Sequence, residues 1–114
     1  MYALAKAKGI HYFHFLQPNQ YDDGSKPMGD EERRIAVTED HPYAKGVKAG
    51  YPRLRELGAE LINRGVTFVD LTNVFANDRD VLYRDNCCHV NREGQLIVVA
   101  AMAKTILGKV TDKN

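Results

Sequence analysis

Asp85 stands four residues before His89 in the run Tyr83-Arg84-Asp85-Asn86-Cys87-Cys88-His89-Val90-Asn91-Arg92-Glu93-Gly94. An aspartate at that distance can reach back to the imidazole, fix its tautomer and stabilise the imidazolium. The other ring nitrogen is then free to act as a general base. Such a pair ordinarily activates a nucleophile. The chain has a single serine, Ser25, in a Gly-Ser-Lys loop before Pro27, where a structural role is expected. The residues therefore supply a base and its acid without an evident nucleophile.

Other chemistry-bearing residues are weaker candidates. Gln17 and Asn19 flank Pro18 at the head of a long polar loop. They are candidate substrate contacts, and equally candidate turn formers. Cys87 and Cys88 are adjacent, and a disulfide between neighbours strains the intervening peptide, so packing is expected of them and no redox role. His11 and His14 fall three apart on an expected strand and face opposite ways. Asp22 and Asp23 lack the ligand spacing of a calcium loop. No zinc spacing is present.

Two parallel phrases supply the elements that must position the pair. Ala3 to Lys8 reads as a helix, Gly9 as its stop and Ile10 to Leu16 as an apolar strand. Leu54 to Arg64, Gly65 and Val66 to Leu71 repeat the pattern. Glycine closes a helix in the left-handed conformation, and strands apolar on both faces suit a buried parallel sheet. The helix before the second strand should be capped by Asp40 and carry Pro42 in its first turn. Its apolar positions are Tyr43, Val47, Tyr51, Leu54, Leu61 and Ile62, and Pro52 should kink or divide it. Asp30 to Arg34 begins a short charged helix. A last helix from about Glu93 to Leu107, capped by Asn91, should bury Leu96, Val99, Ala100, Ala103, Ile106 and Leu107.

The order helix, strand, helix, strand, helix implies an α/β fold with right-handed crossovers. Ligands in such folds sit beyond the carboxyl ends of the strands. There the loops Gln17–Tyr21, Thr72–Asn77 and Asp85–His89 converge. Two strands make a poor sheet alone, so the chain reads as the second half of a domain with four or five strands. Its open apolar edge should invite self-association. With 16 basic and 15 acidic residues there is no basic stripe for nucleic acid. No membrane span or signal peptide is expected, and the compartment is not readable.

The phrase from Asp85 to Gly94, ahead of an apolar helix, resembles the last sequence block of the SGNH (GDSL-type) hydrolases. Tyr12-Phe13-His14-Phe15-Leu16-Gln17-Pro18-Asn19-Gln20-Tyr21, followed by Ser25-Lys26-Pro27 and Glu31-Glu32-Arg33, resembles the middle of bacterial members. The resemblance runs from about Ile10 to Leu107 and covers the C-terminal half of that family's domain. It implies that residues 1–114 are a partial domain of a flavodoxin-like three-layer α/β/α fold. It further implies a serine esterase acting on acyl or acetyl esters of carbohydrates or lipids, with a small-molecule ester as substrate and a parent enzyme that is often exported. By match, His89 is the base and Asp85 the orienting acid, and the resemblance implies no metal or organic cofactor.

Two departures accompany the match. The family's Gly-Asp-Ser and Gly-x-Asn-Asp phrases are absent; Phe75-Ala76-Asn77-Asp78 lacks the glycine and follows the wrong strand. The usual position of the acid, three residues before the histidine, holds Asn86. Members with paired cysteines resemble this chain in carrying the acid one residue earlier, which favours Asp85. The chain alone is expected to hydrolyse no ester. The alternative is a truncated, non-catalytic binding or assembly module.

Overall fold

The computed structural model describes residues 1–111. Among these, α1 (Tyr2–Ala7) and β1 (Phe13–Leu16) come first, then α2 (Asp30–Ala36) and α3 (Pro42–Asn63), then β2 (Thr67–Asp70) and α4 (Arg92–Thr111). The strands pair in parallel, Phe13 beside Thr67 through Leu16 beside Asp70. The protein is therefore of mixed α/β class. None of the described helices is long and apolar enough to cross a membrane.

Each strand is delivered by the same helix ending. After α1, Gly9 takes φ +67°, and the amides of Gly9 and Ile10 reach back to Lys6 O and Ala5 O. After α3, Gly65 takes φ +82°, and the amides of Gly65 and Val66 reach Ile62 O and Leu61 O. These crossed bonds are the Schellman closure, which needs a residue tolerant of positive φ. The strands are shorter than the apolar runs Ile10–Leu16 and Val66–Leu71. Residues just past the glycine are occupied in closing the helix, although Leu71 N–H adds one more bond to Leu16 O, at 2.9 Å.

The expected cap of α3 is corrected, and of the two outcomes expected at Pro52 division does not occur. The cap is His41, whose Nδ1 accepts the Tyr43 N–H at 3.2 Å, and Asp40 lies outside the helix, exposed. Pro42, with φ fixed, occupies the first helical position, so the cap must be its immediate predecessor. The helix also runs as one element through Pro52. Pro52 and Lys48 are both exposed, so the carbonyl that loses its amide partner can turn to water. On its inner face α3 lays Gly58 flat against Phe68 of β2.

The core has two parts. Leu16, Tyr21, Ala44, Val47 and Tyr51 join β1 to α3, with Tyr43 and Phe68 packed alongside. Ala36, Phe75, Leu82 and Tyr83 form the second part, against which α4 sets Ile97 and Val98. The expected buried face of α4 is corrected at four of its six positions. Leu96, Val99 and Leu107 are exposed at 60%, 58% and 64%, Ala100 is exposed, and Ala103 and Ile106 are half-buried. The helix is apolar nearly all round from Leu96 to Ala103, so periodicity alone cannot select a face.

Candidate active site

The Asp85–His89 segment is a loop closed at its base. Tyr83 and Val90 form an antiparallel bridge, Arg84 N–H donates to His89 O at 2.9 Å, and Asn91 N–H donates to Leu82 O at 2.7 Å. Asn91 has two further tasks. Its Nδ2 donates to Val81 O at 2.7 Å, and its Oδ1 accepts the Gly94 N–H at 2.9 Å, capping α4. Inside the loop, Cys88 takes φ +111°, a conformation that costs a side-chain-bearing residue on the order of 1–3 kcal/mol. That bend returns His89 to Asp85.

Asp85 holds both ends of the turn. Its Oδ1 accepts the amides of Cys87 at 2.9 Å and His89 at 3.3 Å, and its Oδ2 lies 2.6 Å from His89 Nδ1. Asn86 points away and donates from Nδ2 to Thr38 Oγ1 at 3.2 Å. The Cys87 amide, followed by the His89 ring and amide, outweighs the small cost of burial and holds the Asp85 carboxyl below the usual carboxylate range. An ionised carboxylate only accepts, so in the neutral ring the proton belongs on Nδ1 and the lone pair on Nε2. No described residue hydrogen-bonds Nε2, and the His89 side chain is 70% exposed. The pair is too exposed to contribute much stability. Its arrangement suits proton transfer at an open surface.

The Gln17–Tyr21 loop meets this segment. Gln20 Nε2 donates to Asp85 O and Ala36 O, both at 3.1 Å. Tyr21 Oη donates to Asn86 O at 3.0 Å and accepts the Thr38 N–H at 3.1 Å. Gln17 is exposed, with Nε2 3.8 Å from Cys88 Sγ. Beside it a depression of about 190 Å³ is lined by Gln17, Pro18, Cys88, Val90, Gln95 and Val98. Asn19 is elsewhere. It is fully buried, donates to Tyr43 Oη at 2.7 Å and accepts the Tyr21 amide at 3.0 Å, while its own carbonyl takes the Ser25 hydroxyl at 2.8 Å. So Gln17 adjoins the candidate pair, whereas Asn19 and Ser25 shape the loop from within.

The third expected segment, Thr72–Asn77, contributes support. Phe75 is core, and buried Thr72 donates its amide to Asp70 Oδ1 at 2.8 Å. Arg55 ties Asp22, Asp70 and Thr72 together beyond the end of β2. Sequence reasoning missed this cluster, and it missed the buried Lys26–Glu32 pair. Cys87 and Cys88 are free thiols. Among the described residues no three His, Cys, Asp or Glu side chains converge as a metal site. No protein-family model, no curated protein and no solved structure matches the chain.

Proposed function

We propose that this chain is the C-terminal part of a serine esterase of the SGNH type, contributing the base and the acid of a Ser-His-Asp site. The observation that carries the reading is the 2.6 Å approach of Asp85 Oδ2 to His89 Nδ1, with the opposite ring nitrogen open. In the complete site a serine hydroxyl would stand at Nε2. His89 would take its proton as the oxygen attacks the ester carbonyl and return it to the leaving alcohol. Asp85 would hold the tautomer and balance the imidazolium.

The surroundings support a three-layer α/β/α parent. Among the described residues both outer strand edges are unpaired, and α4 turns Leu96, Val99 and Leu107 outward. On the α1 side, Met1, Leu4, Ala5 and Ile10 line an apolar hollow of about 420 Å³. Further strands and helices of one domain would cover such surfaces.

The test is hydrolysis of p-nitrophenyl acetate by the chain fused to the coding sequence immediately upstream of it. Activity that is abolished in His89→Ala, falls by orders of magnitude in Asp85→Asn and changes little in Asn86→Ala is expected. Hydrolysis indifferent to His89→Ala would refute the assignment. One observation favours the second reading, a non-catalytic binding module, for the chain by itself. Its single serine, Ser25, is 2% exposed and its hydroxyl is bonded to Asn19 O, whereas the His89 side chain is 70% exposed.

A further inference from the structure

The geometry points to Lys26 and Glu32 as positioning residues for the Asp85–His89 pair, an inference that rests on reading that pair as base and acid. Both side chains are buried, 0% and 1% exposed, and meet at 2.8 Å. Glu32 lies in the first turn of α2. Its Oε1 accepts the amides of Leu82 and Tyr83, each at 2.8 Å. Lys26 Nζ donates to Asp80 O at 2.7 Å and Asp78 O at 3.2 Å. With Pro27 O at 3.5 Å as a longer fourth, every ammonium proton has an acceptor, and the carboxylate has three donors.

A buried ion pair is a poor way to gain stability, since desolvation offsets the attraction and apolar side chains of equal volume often serve as well. Apolar side chains cannot bind a backbone. Residues 78–83 lie outside every helix and strand, and only Tyr83 forms a bridge, to Val90. Four of their main-chain groups are held by Lys26 and Glu32. The next residues form the closed loop, Tyr83 bridging Val90 while Asp85 and His89 face each other between them. The pair therefore fixes the near stem of the loop, as Gln20 and Tyr21 fix its crown through Asp85 O and Asn86 O. A shift of the stem would move Asp85 relative to His89 without touching either side chain.

The ring tautomer reports the position, and stability alone would not alter it. Nitrogen-15 NMR of the His89 imidazole in the intact chain, at a pH where the ring is neutral, should show the Nδ1–H form dominant. Asp85→Asn should abolish that dominance. Lys26→Met/Glu32→Leu removes both charges and the amide acceptor together, and should shift the ring toward the Asp85→Asn spectrum. Lys26→Met/Glu32→Gln keeps an acceptor for Leu82 and Tyr83 but releases Asp78 O and Asp80 O, and should give a spectrum between the native one and that of the leucine variant. If the leucine variant does not fold, Glu32→Asp shortens the reach by one carbon with the charge kept, and should lose the native signature. Folded Lys26→Met/Glu32→Leu or Glu32→Asp protein with a native ring spectrum would overturn the positioning role while leaving the dyad intact. An Asp85→Asn spectrum identical to the native one would instead overturn the dyad.

Discussion

Three glycines on α3 offer a test of how the helix sits on the sheet. Gly46, Gly50 and Gly58 share one helix, so replacing each by alanine brings the same propensity gain, about 0.5–1 kcal/mol in a helix interior. At Gly46 and Gly50 an added Cβ meets nothing within 4 Å. Both substitutions should therefore stabilise by roughly that amount. At Gly58 the Cβ would lie 2.8 Å from Phe68 Cδ1 and closer still to Cε1 and Cζ. The ring is half-buried beside the Leu16–Tyr51 cluster, with the His14 ring 5.6 Å away, so it must be displaced. Overpacking of this kind costs about 1–3 kcal/mol. Set against the propensity gain, Gly58→Ala should be destabilising by about 1 kcal/mol, and should fall about 2 kcal/mol below Gly46→Ala. Urea unfolding followed by circular dichroism gives both values, with constant m-values required for the comparison. Phe68→Leu should relieve the clash, making the double variant with Gly58→Ala less destabilised than the sum of the two. Equal stabilisation at all three glycines would refute the packing of α3 on β2.

Tyr83 is 1% exposed and its hydroxyl has no partner among the described residues, while its ring packs edge-on to Phe75 at 5.9 Å. Tyr83→Phe keeps the ring and removes the orphan, so the unfolding free energy from urea titration should rise, by up to about 1–3 kcal/mol; a fall would reveal a bond to the hydroxyl. Burial also pushes the Tyr83 phenol far up, so its tyrosinate absorbance should appear only with alkaline unfolding. Burial alone would raise Asp70, but Thr72 and Arg55 outweigh it and hold the carboxyl low, as the Cys87 amide does for Asp85. A depressed carboxylate contributes fully above its unfolded pKa, roughly 4, and that contribution is lost as pH falls through the lower native value. Unfolding midpoints should accordingly drop on acidification below about pH 4, with a shallower slope in Asp70→Asn; an unchanged slope would sink the assignment.

What was legible in the sequence is what depends on neighbours in sequence. The repeated helix–glycine–strand phrase could be read because a Schellman closure is made within six residues, and Gly9 and Gly65 are the residues that permit it. Asp40 was a reasonable cap by residue type, yet the fixed φ of Pro42 set the register and made His41 the cap. The buried face of α4 was illegible for another reason. Leu96 and Val99 are as apolar as Ile97 and Val98, and only the position of Phe75 and Tyr83 decides which pair is covered.

The same distinction runs through the candidate site. Asp85 and His89 are four apart, so spacing alone could bring them to notice. The residues that hold their loop are far upstream, Gln20 being 65 positions from Asp85 and Glu32 51 from Tyr83, and no spacing rule covers such distances. They also looked ordinary. Gln20 and Tyr21 stand in a polar loop, and Glu32 stands in the run Asp30-Glu31-Glu32-Arg33-Arg34, which reads as a solvated helix start. One signal was available. Glu32 lies four residues before the apolar Ala36 and so shares its helical face, which the fold turns inward. A carboxylate on an inward face needs donors, and Lys26 stands six residues upstream. Even that inference would have ended at an ion pair. Its bearing on His89 comes from the carboxylate's spare oxygen, which binds the two amides that lead into the loop. Local spacing could nominate the pair; whether the two side chains meet depends on buried polar contacts that only the folded chain brings together.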